Sequence, residues 1–229
     1  IGTFFGWTTD GLYQNAGEIS NDANIANDPR REAGLIQPGD VRFVDLNGDG
    51  LIDDEDRTII GDPTPDVTYG LNAGFGYKGL DLNIFFLGVA GVDIYNADRM
   101  QGLDASYPFN LYAEAENRWT GEGSSNSIPR ASVNRDNLNF RTSDLFIEDG
   151  SFLRLKNLSL GYTLPKSITS NIGMTNLRFY VTGQNVFTIT DYSGLDPELG
   201  LIDGNLQSNV DYAQYPQART WVFGLTAGF

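Results

Sequence analysis

Five stretches of this sequence alternate apolar and polar residues with a period of two. In the last, Trp221, Phe223, Leu225, Ala227 and Phe229 fall on every second position, with Thr220, Val222, Gly224, Thr226 and Gly228 between them. Successive side chains of a β-strand point to opposite faces, so the stretch predicts a strand with one greasy face and one small or polar face. Tyr69, Leu71, Ala73, Phe75 and Tyr77 alternate with Gly70, Asn72, Gly74 and Gly76; Leu80, Leu82, Ile84 and Phe86 alternate with Asp81 and Asn83. Lys78-Gly79 between them is a tight-turn signal, which predicts a β-hairpin with about ten residues per arm, the length a tilted strand needs to cross a bilayer.

Phe152 to Leu164 alternates in two phases. Leu153 and Leu155 share one, and Leu158, Leu160, Tyr162 and Leu164 the other, which predicts a bulge near Asn157. Residues 165–175 turn the chain. Leu177, Phe179, Val181, Phe187 and Ile189 then alternate with Arg178, Tyr180, Thr182 and Gln184. Residues 39–45 read as a short strand, and residues 1–15 as the tail of a strand running into loop. Residues 16–39 read as loop, and Thr58 to Pro63 as too short and Pro-limited for a helix. A short helix is expected around Leu111 to Trp119, while 118–127 (R-W-T-G-E-G-S-S-N-S) reads as a segment that stays out of any core.

Short connections (Lys78-Gly79 and 165–175) alternate along the chain with long ones (8–66, 91–145 and 191–217). Outer-membrane barrels have short periplasmic turns and long external loops, so the rhythm favours such a barrel over a soluble β-sandwich and puts Phe229 on the periplasmic side. No apolar run is long enough for a membrane-spanning helix. The chain opens on Ile1 with no basic and hydrophobic leader behind it, which reads as a piece of something longer.

The formal charge is −15 and the pI near 4.2. Such a chain is repelled by phosphate backbones, which argues against nucleic acid and for cations. Cysteine and histidine are both absent, so disulfides, thiolate sites and every histidine-based triad or zinc site are excluded. Carboxylates are plentiful, but many stand in turn-like settings: Asp191, Asp196-Pro197-Glu198 and Asp203-Gly204. A glycosidase needs two on rigid elements, roughly 5–10 Å apart; no catalytic residue is assigned and a hydrolase is disfavoured. Trp119, Tyr192 and Asp196 are candidates for touching a sugar.

The strongest local motif is D-L-N-G-D-G-L-I-D-D-E-D, residues 45–56. Oxygen-bearing side chains recur at its positions one, three, five, nine and twelve, with glycine at six, as a twelve-residue calcium loop requires. The expected ligands are Asp45, Asn47, Asp49, the Leu51 carbonyl, Asp53 and Asp56, around a structural Ca²⁺ that stiffens an external loop. Ile52 is expected to point inward. Position twelve is Asp rather than Glu and no long helix flanks the loop, so it is similar to the loops of dockerins. The bland alternative is a set of solvated Asx turns.

Residues 39–66, 149–165 (D-G-S-F-L-R-L-K-N-L-S-L-G-Y-T-L-P), 177–187 (L-R-F-Y-V-T-G-Q-N-V-F) and the aromatic end together resemble the C-terminal part of SusC/RagA-type TonB-dependent outer-membrane transporters. The resemblance implies an all-β fold: an antiparallel meander forming the C-terminal strands of a 22-stranded transmembrane β-barrel, with long extracellular loops. Residues 1–229 would be one portion of that barrel. The plug domain and N-terminal strands are absent, and about six strands cannot close a barrel of that size. It further implies import of glycan or peptide fragments, energy from TonB through the missing N-terminal part, and a SusD-like surface lipoprotein as partner. The terminal strand ending in Phe229 would engage the barrel-assembly machinery, in the outer membrane of a Gram-negative bacterium.

Leu71, Phe75, Phe179, Val181, Phe223 and Leu225 are then expected to face outer-membrane lipid, with Tyr69, Tyr77, Tyr162 and Trp221 in the interfacial aromatic girdles. The alternative is a soluble calcium-binding adhesion or scaffold module of β-sandwich type, in which the same residues fill a core.

Overall fold

In the computed structural model, residues 2–199 and 208–229 are described. The Asp203-Gly204 turn and part of the last long loop lie outside them. The chain divides into two compact units, one of Ile1–Thr64, Asp93–Glu148 and Leu199–Gln214, the other of Pro65–Val92, Asp149–Glu198 and Tyr215–Phe229. The first contains β1 (Phe4–Gly6), β2 (Thr9–Leu12), β3 (Val41–Phe43), β4 (Thr58–Gly61), β7 (Asp93–Asn96), β8 (Ile147–Asp149) and β11 (Val210–Asp211). The second contains β5 (Val67–Tyr77), β6 (Leu80–Ala90), β9 (Phe152–Thr163), β10 (Asn176–Thr190) and β12 (Thr220–Gly228).

The second unit is a single five-stranded sheet in the order β12-β10-β9-β6-β5, so the expected six strands become five. Each neighbouring pair is antiparallel, which makes the sheet a meander in chain order. Lys78 and Gly79 both take positive φ (47° and 87°), the two-residue turn whose twist suits a hairpin. The register slips beside Asn157, where Lys156 is left out of the pairing with β6, and beside Asn185, at φ 50°. The expected bulge is therefore present, and it lets the apolar phase change without the strand leaving the sheet.

Register lines the apolar residues up in rows across all five strands. Phe75, Leu82, Leu160, Val181 and Phe223 form one row, and Tyr77, Leu80, Tyr162, Phe179 and Leu225 another. These residues lie open. Phe223 is 80% exposed, Phe75 63% and Phe179 47%. Leu82 and Val181, in the middle of the first row, are half-buried. A sandwich core holding Phe179 and Phe223 is therefore ruled out. Ring faces cover glycines on neighbouring strands: Tyr69 lies over Gly88 and Tyr180 over Gly224, where a Cβ would collide with the ring.

The first unit corrects the reading of the long connections as plain loop. Residues 16–39 contain α1 (Ala16–Asn21) and α2 (Pro29–Glu32), capped by the side chains of Asn15 and Asp28. Residues 91–145 contain β7, α3 (Ala97–Leu103) and a 3-10 turn, Ala113–Asn117, in place of the expected helix at 111–119. Two buried clusters hold the unit together. One gathers Leu12, Tyr13, Ile19, Ile25, Val41, Phe43 and Ile52; the other gathers Tyr95, Ala97, Leu103, Ala115, Ile128 and Phe146. The polar 118–127 segment takes part after all. Trp119 packs on the first cluster, its Nε1 donates to Gln14 Oε1 at 3.2 Å, and its ring fills the space above Gly39.

Candidate functional site

The acidic loop is built by its own side chains. Gly48 and Gly50 adopt φ of 79° and 80°, which brings their N–H groups onto Asp45. Asp45 Oδ1 accepts from the Gly48 amide at 2.7 Å and Oδ2 from the Gly50 amide at 2.6 Å. Asn47 Oδ1 accepts from the Asp49 amide, Asp49 Oδ1 from the Leu51 amide, and Asp53 Oδ1 from the Glu55 amide, each at 2.8–2.9 Å. Asp56, fully buried, accepts from the Leu46 and Asp53 amides at 2.8 and 2.9 Å. Burial pushes the Asp45 carboxyl up, but the Gly50, Gly48 and Asp49 amides and the nearby Asp56 side chain outweigh it and hold the group below its ordinary value.

The Asp45 and Asp56 side chains lie near enough to interact. Ile52 is buried, as expected of position eight. Asn47 Nδ2 reaches Asp49 Oδ2 and also Glu55 Oε2, which the spacing alone does not single out. As the side chains are placed, no three carboxylates among the described residues stand close enough to hold a metal ion. The donor set still suits a hard cation: all oxygen, wrapped by a glycine turn, with the buried Asp56 held by backbone amides and in no ion pair among the described residues.

The exit of the loop is moored to aromatic residues. Trp7 Nε1 donates to the Asp53 carbonyl at 2.7 Å. Arg57 lies 4.9 Å from the Phe5 ring centre and 5.0 Å from that of Trp7, while Arg141 lies 4.6 Å from Trp7 and 4.3 Å from Phe43. The five side chains alternate ring and cation, each guanidinium lying against two rings. Only the spacing of Phe5, Trp7 and Phe43 along short strands hints at this in the sequence; the arginines come from elsewhere.

On the polar side of the five-stranded sheet, Arg154 is buried and fully engaged. It donates to Thr188 Oγ1 at 2.7 Å, Glu198 Oε2 at 2.6 Å and Asp196 Oδ1 at 2.5 Å, and Lys156 adds a bond to Glu198 at 2.8 Å. Asp196 is therefore a structural anchor, and Tyr192 is buried. With Trp119 in a core, the three residues expected to touch a sugar are occupied structurally. Asp81 and Arg178 pair at 2.6 Å on the same polar side.

The chain is 39% identical over 235 residues to TonB-dependent receptor P3 of Formosa agariphila, an alignment covering all of this chain and 22% of that protein. It is 32% identical over 199 residues to TonB-dependent receptor SusC of Bacteroides thetaiotaomicron, covering 84% of this chain and 18% of the relative. The solved RagAB peptide transporter superposes with a TM-score of 0.72 over 99% of this chain and 22% of that one, at 24% identity. The chain belongs with the SusC/RagA-type TonB-dependent transporters. No family model matches it. The chain spans about a fifth of the length of these relatives, and its antiparallel meander is part of an outer-membrane β-barrel. The relatives are receptors and transporters rather than enzymes.

Proposed function

We propose that this chain forms the C-terminal wall of an outer-membrane importer together with its folded external loops, and that it catalyses no reaction. The carrying observation is the row Phe75–Leu82–Leu160–Val181–Phe223, apolar across five strands, with Phe75, Leu160 and Phe223 exposed. An apolar face of strands about ten residues long suits lipid contact, and the opposite face, with Asp81, Arg178 and Arg154, suits a polar barrel interior. The short connections at Lys78-Gly79 and 164–175 lie on the periplasmic side, as does Phe229, and the terminal strand is what the barrel-assembly machinery engages.

This chain contributes no cysteine, so labelling tests the reading once any cysteine elsewhere in the complete transporter is replaced. Single cysteines at Phe223 and Phe75 in the complete transporter should react with a lipid-phase probe in outer-membrane fractions, and one at Val222 only with an aqueous probe. Equal aqueous labelling at all three would sink the reading.

In this reading the importer takes oligosaccharides or peptides, pairs with a SusD-like lipoprotein and draws on TonB; the names of its relatives carry the TonB dependence, and the RagAB name carries peptide transport. Co-purification with the lipoprotein is the check for that pairing. The Asp45–Asp56 loop holds Ca²⁺ through Asp45, Asn47, Asp49, the Leu51 carbonyl, Asp53 and Asp56. The ion would supply positive charge where Asp45 and Asp56 crowd together, fixing the loop against the Trp7 ladder.

A further inference from the structure

The end of the five-stranded sheet that carries the short connections is positively charged. Residues 72–83 and 159–179 hold both turns and the strand ends beside them; their charged side chains are Lys78, Lys166, Arg178 and a single acid, Asp81. Asp81 and Arg178 cancel in their ion pair at 2.6 Å. Lys78 and Lys166 are exposed, and neither meets an acid among the described residues. The chain as a whole carries −15, so the two short turns form a basic island in it.

The turns are neighbours. The Thr163 amide, three residues before Lys166, donates to the Gly79 carbonyl at 2.8 Å. The Tyr162 ring comes within 3.6 Å of where a Cβ on Gly79 would stand. Tyr77 and Tyr162 both belong to the apolar row closest to the turns, and Lys78 Nζ lies 5.3 Å from the centre of the Tyr77 ring. The Lys78 ammonium is therefore held on the rim of the apolar face rather than over the polar one.

The longer turn is folded inside out. In it α4 (Lys166–Thr169) runs into a 3-10 turn, Ser170–Ile172, closed by Gly173 at φ 72° and by the Met174 amide on the Thr169 carbonyl at 3.0 Å. Its buried side chain is a polar one, Thr169, while Ile168 and Ile172 are 50% and 55% exposed. Four apart, the isoleucines fall on one side of the turn. A turn surrounded by water buries its isoleucines first. Apolar side chains outward with a lysine beside them suit the boundary between acyl chains and headgroups.

We propose that this rim binds the headgroup of an anionic glycerophospholipid in the leaflet it meets. Lys78 and Lys166 draw the phosphate, Tyr77 and Tyr162 lie at headgroup level, and Ile168 and Ile172 enter the adjoining acyl region. Two cations without an acid favour a headgroup of net negative charge, phosphatidylglycerol, over a zwitterionic one. The occupant is lipid rather than a periplasmic protein because the charge and the exposed isoleucines stand at the edge of a sheet face that is apolar across whole rows. The inference rests on the reading in which that face meets the bilayer.

The test uses the complete transporter with its other cysteines replaced and Ile168→Cys carrying a fluorescent label. It is reconstituted in vesicles of phosphatidylethanolamine with one phosphatidylglycerol in five. Each lipid is supplied in turn with brominated acyl chains, which quench a label only on contact. Both should quench, and phosphatidylglycerol should do so beyond its share of the bilayer, by about a factor of five for each lysine. Lys78→Gln should remove one such factor, and Lys78→Gln with Lys166→Gln should bring the two lipids level, with the melting temperature unchanged. High salt should weaken the preference of the unmodified rim. A label on Ile172→Cys should report the same, which separates the lipid from a local effect of the first label. No quenching by either lipid, equal preference before the lysines are changed, or a preference that survives the double variant overturns the proposal. Lipid-phase labelling at Phe223 and Phe75 is read separately: if those react while the turn label is not quenched, the importer reading stands and this one fails.

Discussion

Asp40 and Arg130, 90 residues apart in the chain, form a two-pronged ion pair of 2.7 and 3.2 Å in which the Asp40 side chain is almost fully buried. The same carboxylate also accepts from Asn137 Nδ2, Asn139 Nδ2 and the Gln37 amide. One aspartate thus joins the strand before the acidic loop to two segments of the 91–145 connection. Asp40→Ala leaves a half-buried guanidinium and two buried amides without this acceptor, so the first unit should lose about 3 kcal/mol. Thermal or denaturant unfolding of the purified protein measures it, and a loss under about 1 kcal/mol would show that solvent reaches the hub.

The two faces of β12 should differ in what they tolerate. Phe223→Arg puts a charge on the open apolar face and should cost about 2–4 kcal/mol if that face meets the middle of a bilayer, while Val222→Arg on the opposite face should cost far less. Reversible unfolding in detergent or lipid vesicles compares the two. Equal costs would mean that the faces share one environment.

Arg154 is the only positive group that both Asp196 and Glu198 touch among the described residues. Arg154→Met should destabilise the sheet unit by about 3–5 kcal/mol, because it strands buried charge. Adding Asp196→Asn and Glu198→Gln to that variant should restore much of the loss, since all three groups belong to one network. A triple variant no more stable than Arg154→Met would place the energy in packing instead.

Acid and base should each loosen the first unit. Burial raises the Asp28 carboxyl, but the Arg30 side chain and backbone bonds outweigh it and leave it below its ordinary 3.8. Its contribution is therefore present above 3.8 and lost as pH falls below it, and Asp28→Asn should flatten that limb. Tyr13 is shifted the other way, by burial and by its bond to Asp22 at 2.7 Å, so its contribution is complete below pH 10 and disappears as pH rises beyond. Melting temperature against pH, with Tyr13→Phe as the comparison, tests both signs.

If the acidic loop holds calcium, saturating ion at about 100 times its dissociation constant should stabilise the protein by about 2.7 kcal/mol relative to chelator. Asp45→Asn with Asp56→Asn should abolish the difference. A melting temperature indifferent to calcium would leave the loop as hydrogen-bonded turns alone.

The five long strands were legible because each is read locally. Period-two alternation at 67–77, 80–90 and 220–228 follows from strand geometry, and the phase slip near Asn157 announced its bulge. The turns at 45–56 are local as well, each Asp or Asn side chain accepting from an amide two to five residues further on. The long connections were not. Trp119 and Ile128 sit in a polar stretch, and nothing in their neighbours says that Ile128 joins Tyr95 and Phe146 in one core. Arg141 also gave no local signal, because its rings, Trp7 and Phe43, are about a hundred residues away.

The amino-acid order alone determined the strands, their apolar and polar sides and the turn at Lys78-Gly79, since these depend on side-chain alternation and on glycine's backbone freedom. Tertiary structure decided which charges are paired. Asp40, Asp196 and Asp45 are all acidic residues in turn-like sequence, yet one is locked by Arg130, one by Arg154 and one by backbone amides. Electrostatic pairing depends on distance in space, and segments far apart in sequence set that distance only when the chain has folded.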